Sequence, residues 1–284
     1  MAFEFALRAA LEKLGYAEGR NLAFEPHYAD GNPERLPALA KVLVQRRVDA
    51  IVAVGTASAR AAKQATATIP IILFGNVDPV AAGLVASLAR PGGNVTGVLI
   101  APDGTLAAKK LELLKETVSG ASRIAVLVPE HRANAPTQLA ELRRAAAKLR
   151  IELPVVDVRG NDYAEAFVRI ATARPHALFV LASTYFALER APIIELTKKH
   201  RLPSMWEWRE QVEDGGLMSY GSSIVERAQR MAEHIDRIFK GRAPGDLPVD
   251  RPKSFELAVN MKTATVLGIT IPPEIMVRAT RVIQ

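Results

Sequence analysis

The chain has 284 residues, 49% of them hydrophobic and 24% charged, and its net charge of +7 is spread along the sequence rather than gathered in runs. That length predicts one large or two modest domains of an ordinary globular protein. The absence of cysteine excludes disulfides, thiolate catalysis and cysteine metal sites. The five histidines lack HxH or HExxH spacing, which argues against a metal, no apolar stretch approaches the ~20 residues of a membrane span, and no aromatic–basic interleaving points to nucleic acid.

Met1 to Phe5 carries neither a basic n-region nor a long apolar h-region, so no signal peptide is visible. The chain enters an amphipathic helix almost at once, over residues 3–14, with Phe3, Leu7, Leu11 and Leu14 on one face and Gly15 as the stop. Asn21 to Tyr28 reads as a strand, and Asn32-Pro33-Glu34 opens a second helix running to about Arg47. Val48 to Val54 reads as a buried strand ending in the tight loop Gly55-Thr56-Ala57-Ser58, whose small residues let helix N-terminal amides face an anion or dipole. A helix over 57–67 follows.

Ile69 to Phe74 is a nearly unbroken apolar run, the mark of a strand buried on both faces. Gly75 to Pro79 breaks it. Asp78 is placed to cap a helix over Val80–Leu88, and it also puts a carboxylate at the carboxyl end of a core strand, where open α/β sheets bind ligands. The cluster Pro91-Gly92-Gly93-Asn94 is a turn and Val95 to Ile100 the next strand. Residues 101–104 then read as a crossing between two lobes. Beyond them, helices (106–117, 135–149, 161–173, 186–200, 222–240) alternate with strands (123–128, 153–158, 176–181, 203–207, 217–221) at a period of about 25–30 residues, which predicts right-handed βαβ crossovers and parallel sheets. Phe255–Asn260 is a late strand, Thr263–Leu267 a short helix, and Ile271-Pro272-Pro273 opens a last helix to about Val282. No GxGxxG, GxxxxGK[ST] or GxSxG motif occurs, so nucleotide sites and a hydrolase elbow lose support, and no cofactor is expected.

Several blocks resemble the ABC-transporter solute-binding proteins of the tryptophan and aromatic amino-acid type: LGYAEGRNL (14–22), GTASARAAKQATATIPII (55–72), VDPVAAGLVASLARPGGNVTGV (77–98), GGLMSYG (215–221), GDLPV (245–249) and FELAVNMKTATVLGITIPP (255–273). The resemblance implies an α/β fold of two doubly wound parallel-sheet lobes joined by a three-strand hinge, like type I periplasmic-binding proteins, with one lobe over 1–101 and 216–246 and the other over 102–215 and 247–284. It also implies a leader and a first strand ahead of the helix at residue 3, so the first strand of lobe one is missing from the sequence as read. The implied function is a non-catalytic receptor that closes two lobes around a small ligand, an amino acid of the aromatic type, and presents it to ABC permease subunits in the periplasm. The alternatives are a ligand-sensing domain of a regulator and an enzyme on the same scaffold. The second is disfavoured by the lack of a paired acid and base, a cysteine pair or a nucleotide motif.

The expected ligand-binding residues follow the strands. Gly55, Thr56, Ala57, Ser58, Asn76 and Asp78 belong to lobe one; by resemblance the Gly-Thr loop and the Asp-Pro aspartate face the ligand. Asp78 suits an ammonium, and the 55–58 loop suits a carboxylate. Lobe two offers Glu130, Asn134, Ser183, Thr184, Tyr185, Trp206 and Glu207, with the tryptophan placed to stack a ring, and Tyr220 belongs to the hinge. Each has a plainer reading: Thr56, Ser58 and Asp78 as helix caps, Glu130 as a solvated carboxylate, and Trp206 and Tyr220 as packing residues.

Overall fold

A computed structural model describes residues 2–30, 32–75, 78–100, 105–129, 135–160 and 162–284. The chain divides into two compact units, Met1–Pro102 with Ile224–Lys253 and Asp103–Ser223 with Ser254–Gln284, so it passes from one to the other three times. The expected crossing residues 101–104 lie outside the described residues.

Unit 1 opens with α1 (Ala2–Lys13), α2 (Leu36–Gln45), β1 (Ile51–Val54), α3 (Thr56–Ala65), β2 (Ile71–Gly75) and β3 (Val95–Leu99). The strands pair in parallel in the order β1-β2-β3, with Ile51 opposite Ile71 and Ile71 opposite Val95. All five residues of β2 are buried, as its apolar run requires of a central strand. Gly97 is essential to the β2–β3 approach, because a Cβ there would lie 2.3 Å from the Leu73 carbonyl oxygen.

Two expectations for unit 1 fail. Asn21–Tyr28 is not a strand. Among the described residues no strand lies beside the outer edge of β1, so the segment has no ladder to join. Side chains hold it instead: Arg8 sits over the Phe24 ring at 4.0 Å, the Tyr28 hydroxyl donates to Glu4 at 2.6 Å, and Arg46 pairs with Glu25 at 3.1 Å. Val80–Leu88 is not a helix either. One turn forms, with Ala82 N–H on the Asp78 carbonyl, and Gly83 then adopts φ 68°. Lys63 Nζ takes the carbonyls of Gly83 and Leu84 at 2.7 and 2.9 Å, which helps to end the turn there.

Unit 2 runs α4 (Thr105–Thr117), β4 (Ile124–Val128), α5 (Ala135–Leu149), β5 (Val155–Asp157), α6 (Tyr163–Thr172), β6 (Ala177–Val180), α7 (Thr184–Leu188), α8 (Arg190–Lys199), β7 (Ser204–Trp206), α9 (Arg209–Glu213) and β8 (Met218–Gly221). The chain returns to unit 1 for α10 (Ile224–Phe239) and closes unit 2 with β9 (Glu256–Asn260), α11 (Met261–Leu267), α12 (Pro273–Arg278) and β10 (Arg281–Ile283). The sheet order is β10-β9-β8-β7-β6-β4-β5. Successive residues of β4 go to opposite faces: Ile124, Val126 and Val128 join one core, Ala125 and Leu127 the other. The sheet is thus covered on both sides, the doubly wound arrangement expected.

It is not parallel throughout. β8 and β9 are antiparallel, with Tyr220 opposite Leu257, because β9 re-enters the unit from the chain's third crossing rather than through a helix packed on this sheet. The last helix also ends earlier than expected. It stops at Arg278; Ala279 turns extended, and Val282 and Ile283 pair in parallel with β9.

Candidate functional site

In unit 1 the carboxyl ends of β1 and β2 lie side by side. The Gly55 N–H donates to the Phe74 carbonyl at 2.7 Å, and a Cβ on Gly75 would lie 3.3 Å from the Gly55 Cα. The two glycines therefore let the start of the 55–58 loop and the end of β2 run close together. Gly55 adopts φ 88°, a conformation that favours glycine, and as the N-cap of α3, which starts at Thr56, it brings no capping side chain of its own. Thr56, Ala57 and Ser58 are half-buried in its first turn. The helix dipole there favours a negative group.

Asp78 is exposed, and its Oδ1 accepts the amides of Val80 and Ala81, each at 3.0 Å. The capping role is therefore present, over a single turn rather than a helix. Asn76 lies outside the described residues, as do Glu130 and Asn134.

In unit 2 the carboxyl ends of β6, β7 and β8 come to one end of the sheet, since these strands are adjacent and parallel. They bring Ser183, Glu207 and Tyr220 to that end. Ser183 caps α7, its hydroxyl accepting the Tyr185 amide at 3.2 Å, and Thr184 is the first residue of that helix. The loop is pinned from α5, where the Gln138 amide group exchanges two hydrogen bonds with the backbone of Ala182 at 3.0 and 3.1 Å. Tyr185 is half-buried against Phe186 at 6.1 Å between ring centres. Beneath it, burial pushes the Tyr163 hydroxyl far above the ordinary phenol range.

Trp206 is a core residue. Its side chain is 0% exposed and its indole N–H donates to Ser204 Oγ at 2.8 Å. A Cβ on Gly216 would lie 2.4 Å from that nitrogen, so the ring fills space that only a glycine leaves. The tryptophan is thereby withdrawn from the residues placed to stack a ligand ring. Glu207 is buried as well, in an ion pair with Lys110 of α4, while its Oε1 has no hydrogen-bond partner among the described residues. The next turn carries Glu210, half-buried, whose carboxyl burial pushes above the usual range.

Tyr220 packs on Phe255 at 5.7 Å and, with Lys109, Leu113, Leu257 and Arg278, lines an open cavity of about 240 Å³. Both cations at its rim are already paired, Lys109 with Glu112 at 3.1 Å and Arg278 with Glu116 at 2.6 Å.

One residue that the sequence reading passed over is Arg227. It lies on the apolar stripe of α10 with Met231, His234, Ile235 and Ile238, and it is 1% exposed. Its position on that stripe, at helical spacing from the buried residues, is the signal that could have found it. Among the described residues no group of His, Asp and Glu side chains is arranged to hold a metal ion, and no helix is long and apolar enough to cross a membrane.

A family model described as ABC transporter substrate binding protein matches residues 5–283. The Tyrosine-binding protein of Clostridioides difficile (strain R20291) is 28% identical over 260 residues, covering 92% of this chain and 74% of that protein. Among solved structures, a conserved domain protein from Vibrio cholerae superposes with a TM-score of 0.88 at 31% identity, over 99% of this chain and 94% of the other. An ABC domain from Streptococcus pneumonia in complex with L-Trp gives 0.86 at 26% identity, over the same shares.

Proposed function

We propose that this chain, which belongs to the ABC transporter substrate-binding protein family, binds an aromatic amino acid and presents it to the permease subunits of an uptake transporter. The observation that carries the reading is the family match across almost the whole chain, joined by two relatives whose names give tyrosine and L-Trp as what they bind. The expected place of action is the periplasm or outer cell surface, where receptors of such transporters meet their solutes. The role is to bind and release without chemistry.

The unit 1 geometry is suited to a zwitterion. The first turn of α3, behind a glycine N-cap, presents backbone amides and a dipole to a carboxylate, and Asp78 offers negative charge to an ammonium. Gly55, Thr56, Ala57, Ser58 and Asp78 are the contacts assigned in this unit. Ser183, Tyr185 and Tyr220 are assigned to the ligand from unit 2, where Ser183 caps α7, Tyr185 lies in its first turn, and Gln138 pins the backbone of Ala182 just before them.

Thermal unfolding of the chain with a panel of L-amino acids tests the proposal. A ligand at 100 times its dissociation constant adds about 2.7 kcal/mol, which raises the midpoint by several degrees. A shift confined to tyrosine, tryptophan or phenylalanine is expected. A folded sample unmoved by every amino acid contradicts the reading.

A further inference from the structure

Arg227 is a buried cation with unmet hydrogen-bonding capacity. Its Nη2 pairs with Glu226, but among the described residues Nε and Nη1 have no hydrogen-bond partner, and both are buried. The neighbouring acids are committed elsewhere: one turn along α10, Arg230 takes Glu233 at 3.1 Å and Asp250 at 3.5 Å. Burying a cation with three unused N–H groups is costly unless an anion completes it. The position adds to the demand, because the first turn of a helix is electrostatically unfavourable for positive charge.

Topology places this group at the ligand end of unit 1. The turn after α10 meets the amino end of β3, where the Gly92 N–H donates to the Gly245 carbonyl at 3.2 Å and Thr96 Oγ1 to the Leu247 carbonyl at 2.8 Å. Residues 247–250 then run parallel to β3, Asp250 bridging to Val98. A 16-residue helix is about 24 Å long, longer than five-residue β3. The first turn of α10 therefore lies toward the carboxyl ends of β2 and β3, the end that carries the 55–58 loop and Asp78.

We propose that Arg227 is the counter-charge for the carboxylate of the bound ligand and so selects for acids over the corresponding amines. The inference rests on the function proposed above and adds a specificity-determining residue to it. The first amides of α3 and the Arg227 guanidinium divide the work: the amides supply directional hydrogen bonds, and the arginine supplies the charge.

Calorimetric titration of the full chain, Arg227→Met and Arg227→Lys decides this. The probes are L-tyrosine and L-tryptophan, their decarboxylated amines tyramine and tryptamine, and the amine-free 3-(4-hydroxyphenyl)propionate and indole-3-propionate. The wild type is expected to bind the amino acids and to reject the amines. Arg227→Met should weaken the amino acids on the order of 30-fold or more, with Arg227→Lys between. Without ligand, Arg227→Met should unfold at or above the wild-type temperature, because it removes a buried charge whose N–H groups are only partly satisfied. Wild-type-like affinity in Arg227→Met, within about threefold, overturns the role of Arg227 and leaves the amino-acid reading standing. If the wild type binds no amino acid, that reading fails, and the propionates then decide: binding lost in Arg227→Met supports the carboxylate site, and no binding of any acid overturns it. Should Arg227→Met not fold, Arg227→Lys carries the same comparison.

Discussion

Lys110 on α4 and Glu207 at the end of β7, 97 positions apart, form an ion pair whose side chains are 3% and 2% exposed. The Lys110 ammonium also stands 5.8 Å over the Phe179 ring. Removing one partner strands the other charge in the core. Lys110→Met should cost about 3–5 kcal/mol, and adding Glu207→Leu should restore a large part of that loss. Urea denaturation of the two single variants and the double variant measures it; strictly additive losses would show that the pair is not coupled.

Gly97 admits no side chain. A Cβ there meets the Leu73 carbonyl oxygen at 2.3 Å and the Leu73 Cβ at 2.8 Å, both within the unit 1 sheet. Gly97→Ala should therefore destabilise by about 1–3 kcal/mol or more through overpacking. Gly93→Ala, where an added Cβ meets nothing within 4 Å, is the control and should unfold close to wild type. Equal midpoints for all three proteins would refute the close approach.

Asp78 combines a local cap with a proposed ligand contact, and two substitutions separate them. Asp78→Asn keeps an oxygen for the Val80 and Ala81 amides but removes the charge, so stability should hold while aromatic amino-acid affinity falls. Asp78→Ala should lose both, with about 1 kcal/mol of stability gone. Affinity unchanged in Asp78→Asn would confine the residue to its capping role.

Glu210 gives a pH dependence of known sign. Burial raises its carboxyl above the unfolded-chain value, so between those two values the native state holds the proton that the unfolded chain has released. Its stabilising contribution is full below the unfolded value and is lost as pH rises through the native one. Glu210→Gln should flatten that loss, gaining on the wild type as the solution is taken from acid to neutral. Unfolding free energies measured across that range check this; parallel curves would remove Glu210 as the source.

The alternation of strands and helices was legible because the central strands are buried on both faces and leave long apolar runs, as Ile71–Phe74 and Ile124–Val128 do. Asn21–Tyr28 has a strand's composition, but pairing is not a local property, and no described strand lies along the outer edge of β1 for it to join. Val80–Leu88 carries a cap and helix-compatible residues, yet Gly83 at φ 68° ends the turn. Arg281–Ile283 is short and charged at its start, so only its place beside β9 makes it a strand. The Gly55 loop and the capping Asp78 were readable as features that follow core strands. Trp206 and Arg227 were not, because burial separates them from their usual roles: the aromatic went to the core with its N–H satisfied, and the cation went to the core with its N–H groups unsatisfied.

The proposed receptor role requires the chain to bind an aromatic amino acid reversibly at a single site. Isothermal titration of the purified chain with L-tyrosine and L-tryptophan tests it most directly. A saturable isotherm at one ligand per chain is expected for at least one of them, with D-enantiomers and acidic amino acids binding far more weakly. A flat titration with both, in a sample that unfolds cooperatively, would contradict it.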